Sequence, residues 1–267
     1  MTRWLSISIR NSDAIKTDGN VVKPPNSSSH ARRFCGLLLL YLSAPLVLVS
    51  IAQRAPSVNL LWDVANAMGY LALALIILLF VYTGRPRAFP AFSGGFFAAL
   101  HRHFGFIALA LIVGHTGILL YAEPLLVEHL KLTAPVHMLT GLASALVILL
   151  LTATSITVVR RRLWEDYQRF RGVHAWLSIA ALALLLLHVL GSGYYLNTSW
   201  KMVALLLVCA IVLGFYIDKR YVHLRHDRSV VRQRHTSHYA VLLAYAPVGL
   251  VLVICFGVVI VYVGDTG

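Results

Sequence analysis

The chain has 267 residues, 59% of them apolar and only 12% charged, with a formal net charge of +13 and a mean hydropathy of +0.77. Soluble domains sit near ~45–50% apolar and ~25% charged, so this balance excludes an ordinary soluble domain and predicts an all-α integral membrane protein. The basic residues flank apolar runs, where they orient helices, which sets nucleic acid aside as a partner.

In chain order, residues 1–33 are polar and irregular, with Pro24-Pro25 and Ser27-Ser28-Ser29, and read as a disordered cytoplasmic tail. The first long apolar run starts near Phe34, too late and too long for a cleaved signal peptide. Runs of the ~20 residues needed to cross a ~30 Å hydrocarbon core predict spans at 34–53, 61–83, 98–122, 137–158, 173–195, 200–217 and 239–263. Each must be a helix, because a lipid-exposed segment has to satisfy its own backbone hydrogen bonds. The organisation is thus a tail, a bundle of six helices over 34–217, and a 218–267 segment holding a basic cytoplasmic loop and a seventh helix. No internal repeat and no soluble domain is visible. Cys35, Cys209 and Cys255 all lie in apolar runs with no CxxC spacing, against a disulfide framework, a zinc site or a cysteine-held iron–sulfur cluster.

With the N-terminus inside, only Arg54, Lys131 and Lys201 of the 23 Lys and Arg residues fall in outer segments. Cytoplasmic loops carry the excess of Lys and Arg. Seven spans therefore predict a cytoplasmic N-terminus and an outer C-terminus, in a lipid-embedded, multi-pass protein of a bacterial inner membrane.

Four of the twelve histidines form a pattern. His101 and His115 stand fourteen residues apart in the third span, and His174 and His188 have the same separation in the fifth. Fourteen residues is about 3.9 helical turns, so both members of a pair share one face, about 21 Å apart along the axis. Both spans are odd-numbered and run from inside to outside. His101 and His174 then share an inner depth, and His115 and His188 an outer one. Two facing helices offer two histidine couples, each able to hold one heme iron from both sides in a bundle core. A proton relay and a transition-metal site are the alternatives for buried histidines in a membrane. Ligation by two histidines leaves iron no open position, which suits electron transfer, and each ring N–H then needs an acceptor such as a backbone carbonyl.

Small neighbours, Gly105, Gly114, Gly117, Gly172 and Ala175, would let a macrocycle approach. Arg102, Arg169 and Arg171 at the inner level, and Lys201, Tyr194 and Tyr195 at the outer, are candidates to meet its carboxylates. His103 lies about 200° round the helix from His101 and cannot share its face unless the helix start is distorted. His137 opens the fourth span at the outer interface.

These residues resemble the ferric reductase-like transmembrane domain shared by iron reductases and NADPH oxidases, over about residues 61–217. The resemblance rests on Leu100-His101-Arg102-x-x-Gly105, Thr140-Gly141, Thr154-Ser155, Arg160-Arg161-Arg162 and the two spaced histidines of span five. It implies two b hemes, the inner held by His101 with His174 and the outer by His115 with His188. It also implies transmembrane electron transfer from a cytoplasmic-side donor to an outer acceptor, which would be ferric iron, oxygen or a partner oxidoreductase. Members of that family usually continue into flavin- and NADPH-binding domains, whereas no Gly-rich dinucleotide loop occurs here. The expectation is therefore an oxidoreductase component fed by a separate flavoprotein or quinol, with the basic loop 219–234 available to dock an acidic donor or anionic lipid. A heme-bearing membrane subunit of a periplasmic reductase system is a close variant. A non-redox transporter or proton pathway is the rival, although no Asp or Glu occupies the centre of any span.

Overall fold

The computed structural model describes residues 27–51, 58–84, 92, 94–221 and 237–266. They form α1 (Ser27–Ile51), α2 (Leu60–Val81), α3 (Gly94–Ala122), a 3₁₀ helix (Pro124–Leu130), α4 (Val136–Ser155), α5 (Thr157–Leu163), α6 (Tyr167–Ser192), α7 (Ser199–Tyr221) and α8 (Ser237–Thr266). No strand occurs among the described residues. The helices α2, α3, α4, α6, α7 and α8 are each long and apolar enough to cross a membrane. The chain is an all-α, multi-pass integral membrane protein.

Among the described residues each of the seven expected spans overlaps a long helix with shifted ends, and six of them, all but α1, are the helices long and apolar enough to cross a membrane. The first helix begins at Ser27, inside the segment expected to be tail, and residues 1–26 of that tail lie outside the described residues. The expected seventh span is α8, and most of the basic loop before it lies outside the described residues. The fourth predicted span runs on to 158, but α4 stops at Ser155, where Ile156 turns extended (ψ 129°) before α5 restarts. Thr154 and Ser155 cause the break locally, because their hydroxyls bond back to the Leu150 and Leu151 carbonyls. Such back-bonding loosens a helix, and the β-branched Ile156-Thr157-Val158-Val159 that follows resists its continuation.

The second helix is the axis of the bundle. Every residue from Leu71 to Leu78 is buried, as expected of a helix apolar all round. It packs most extensively on α3, and α4 packs most extensively on α6, so the bundle has an α2–α3 half and an α4–α6 half. The α1 and α8 helices lean on the first half. Large apolar side chains such as Val113, Leu146, Trp176, Leu207 and Phe215 face outward, where a bilayer rather than water accommodates them. Where the C-terminus of α2 meets the N-terminus of α3, Phe34, Tyr82, Phe92, Phe96 and Phe97 form an edge-to-face and stacked aromatic cluster.

Candidate functional site

The histidine pairs sit where the two halves face each other. His101 of α3 and His174 of α6 have ring centroids 6.2 Å apart, tilted by 55°. His115 and His188 are near enough for charge on one to act on the other. The couples therefore match in order along both helices, so α3 and α6 run parallel.

Three of the four imidazoles are oriented by the main chain. His101 Nδ1 donates to the Tyr82 carbonyl, His115 Nδ1 to the Ala65 carbonyl and His188 Nδ1 to the His137 carbonyl, each at 2.8 Å. A carbonyl can only accept, so Nδ1 carries the proton and Nε2 keeps its lone pair. That is the tautomer a metal-bound histidine adopts when the backbone holds its other nitrogen. His174 rests against the Phe170 ring, at 5.3 Å between centroids, and its own carbonyl accepts from Ser178.

The three accepting carbonyls are accessible for identifiable reasons. Tyr82 caps the C-terminus of α2, where carbonyls have lost their helical partners. The other two lie inside helices, and in each case the residue four positions on is glycine: Gly69 after Ala65, and Gly141 after His137. A side chain at that position stands one turn above the carbonyl and would fill the space the imidazole uses. A Cβ on Gly69 would lie 3.0 Å from His115 Nδ1, and one on Gly141 would lie 2.5 Å from His188 Nδ1.

The inner couple opens into a cavity of about 610 Å³ lined by both rings, Gly105, Ala175 and a mixed polar and apolar wall. Arg102, Arg160 and Arg171 all contribute to the lining. Arg102 and Arg171 match the sequence expectation. Arg169 does not line the cavity, and Arg160 takes its place, its guanidinium lying 5.3 Å from the Tyr167 ring centre and 5.7 Å from that of Phe170.

At the outer end the expectation needs correction. Lys201, Tyr194 and Tyr195 were candidates to meet a ligand's carboxylates, yet Lys201 and Tyr195 are engaged inside the protein. The Lys201 side chain is 4% exposed, and its ammonium donates to the Tyr195 carbonyl and to Asn197 Oδ1. Tyr195 donates its hydroxyl to Asp63 Oδ1 at 2.5 Å, and Tyr194 packs edge-on against Tyr195. Burial, reinforced by Asp63, pushes the Tyr195 phenol far above its usual pKa.

Of the small residues proposed as neighbours, a Cβ on Gly105, Gly117 or Gly172 would meet open space, whereas Gly114 is packed by Met68. His103 turns to α8, its Nδ1 3.5 Å from the Tyr245 hydroxyl, and stays off the His101 face. His137 serves through its main chain, and its Cβ packs in the notch left by Gly191. No cluster of three or more His, Cys, Asp or Glu side chains suited to a metal occurs among the described residues.

Residues 68–185 match the family described as ferric reductase like transmembrane component. The match is consistent with a ferric reductase-like transmembrane domain over that segment. It spans α3, α4 and α5 with most of α2 and α6, and it contains His101, His115 and His174, whereas His188 lies three residues beyond its end. Comparison with curated proteins and with solved structures gave no match.

Proposed function

We propose that this ferric reductase-like domain is a transmembrane electron conduit built on two bis-histidine b hemes, one at the inner couple His101–His174 and one at the outer couple His115–His188. The carrying observation is the 6.2 Å separation of the inner imidazoles beside a cavity of about 610 Å³. Two metal–nitrogen bonds of about 2 Å, plus the half-width of each ring, put the imidazoles of one ligated iron about 6 Å apart. The cavity has the size of a cofactor site, and its arginines suit a group carrying carboxylates. Iron held by two imidazoles supplies one-electron chemistry without an open coordination position.

The protein's own residues do the rest. Tyr82, Ala65 and His137 carbonyls hold the Nδ1 protons and present Nε2 inward. Arg102, Arg160 and Arg171 offset anionic charge at the inner level. The Lys and Arg distribution supports a cytoplasmic position for that level, with a separate flavoprotein or quinol as the donor. The acceptor lies outside and is ferric iron, oxygen or a partner oxidoreductase. A proton pathway would need acidic groups beside the histidines, whereas the buried carboxylate Asp63 is bonded to Tyr195 at the start of α2.

The test is the heme-to-chain ratio and the reduced-minus-oxidised spectrum of the purified protein. Two b hemes per chain are expected, falling to about one in His115→Ala and in His188→Ala. Unchanged heme in both variants would overturn the ligand assignment, and a heme-free wild type would overturn the conduit.

A further inference from the structure

The outer couple has its two rings on different halves of the bundle. His115 lies on α3 and is held by α2, while His188 lies on α6 and is held by α4. The spacing of the couple therefore depends on what joins the halves at the outer end. The joint is polar and buried. Gly193 takes the left-handed conformation (φ +59°) and ends α6, turning the chain into the 194–198 loop. Tyr195 in that loop reaches across to α2, donating to Asp63 and meeting the Tyr70 ring edge-on at 6.0 Å. Tyr70 adjoins Gly69, against which the His115 ring packs, and Asp63 lies two residues before Ala65, whose carbonyl holds that ring. Lys201, at the start of α7, ties the loop's own backbone down through Tyr195 O and Asn197.

Asp63 and Lys201 are 8% and 4% exposed. Buried charges are costly unless they are paired and hydrogen-bonded, so a cluster of this kind fixes one geometry and tolerates few others. We propose that Asp63, Tyr195 and Lys201 form a cross-brace that sets the separation and ring orientation of His115 and His188, making them positioning residues for the outer couple. At the inner couple, His101 is anchored instead by the Tyr82 carbonyl at the C-terminus of α2. The inference rests on the reading of His115 and His188 as a ligand pair for its spectroscopic consequence, and on the fold alone for its geometric one.

The experiment has two arms, using Tyr195→Phe and Asp63→Asn in the full chain. In heme-loaded protein, electron paramagnetic resonance reads the low-spin signals of both couples. The expected result is a shifted or broadened outer signal beside an unchanged inner one. In heme-free protein, spin labels at Tyr121→Cys and Ser192→Cys, with the three native cysteines replaced by alanine, read the distance between the outer ends of α3 and α6. A broadened distance distribution is expected in both variants. An unchanged outer signal and an unchanged distribution in both variants would overturn the brace. A wild type that binds no heme would sink the conduit and leave the distance arm to decide the brace.

Discussion

Gly141→Ala is the sharpest perturbation the site offers, because a single methyl lands on His188, a proposed ligand. The added Cβ would stand 2.5 Å from His188 Nδ1, 2.8 Å from its Cγ and 2.9 Å from its Cε1. Carbon atoms prefer about 3.5–4.0 Å, so the ring must move and its bond to the His137 carbonyl must stretch or break. Overpacking of this kind costs about 1–3 kcal/mol, and a displaced hydrogen bond about 0.5–1.5 kcal/mol. Together these weaken outer-heme retention by about 10-fold to about 2,000-fold, at ~1.4 kcal/mol per decade. The helix itself gains from the change, since alanine is about 1 kcal/mol better than glycine in a helix interior. The loss is therefore selective for the site. The assay is heme per chain with the low-spin resonance of the outer couple, and Gly214→Ala on α7 is the control, because a Cβ there meets nothing within 4 Å and Gly214 does not line the cavity. Full heme with an unshifted outer resonance in Gly141→Ala would refute the claim that this glycine makes room for a ligating His188.

Two further outcomes follow from the same contacts. Ser144, 1% exposed, donates across the α4–α6 interface to the Ala181 carbonyl at 3.0 Å; Ser144→Ala should lower unfolding stability in detergent by about 0.5–1.5 kcal/mol, and an unchanged unfolding midpoint would show that bond to be idle. Tyr195 has a raised pKa from burial and then from Asp63, so its neutral form favours the fold: that contribution is complete below about pH 10 and is lost only as pH rises further. In a tyrosinate absorbance titration, Tyr195→Phe should lose no transition near pH 10 relative to wild type, and a missing transition there would contradict the buried, Asp63-bonded phenol.

The sequence by itself determined the membrane class, the seven long helices and the register of the histidines. Each of these depends on local properties: apolar run length, the placement of Lys and Arg, and a helical period that returns His115 to the face of His101 and His188 to that of His174. The placing of His103 off that face followed from the same period, and it stands beside Tyr245 on α8. Tertiary structure decided what meets those faces. Which carbonyl accepts each Nδ1 proton depends on how α2 packs on α3 and α4 on α6, so Ala65, Tyr82 and His137 could not be chosen from spacing. Glycine four residues beyond a carbonyl was a legible signal in Gly69 and Gly141, but only a neighbouring helix gives it meaning. Arg160 rather than Arg169 lines the inner cavity, and it stands on the short α5 that follows the break at Ile156. Lys201 and Tyr195 looked like interface residues, and became a buried brace because a left-handed Gly193 folds their loop back over α2. Helix periodicity is written residue by residue, whereas partners across a bundle are set by the packing of helices far apart in sequence.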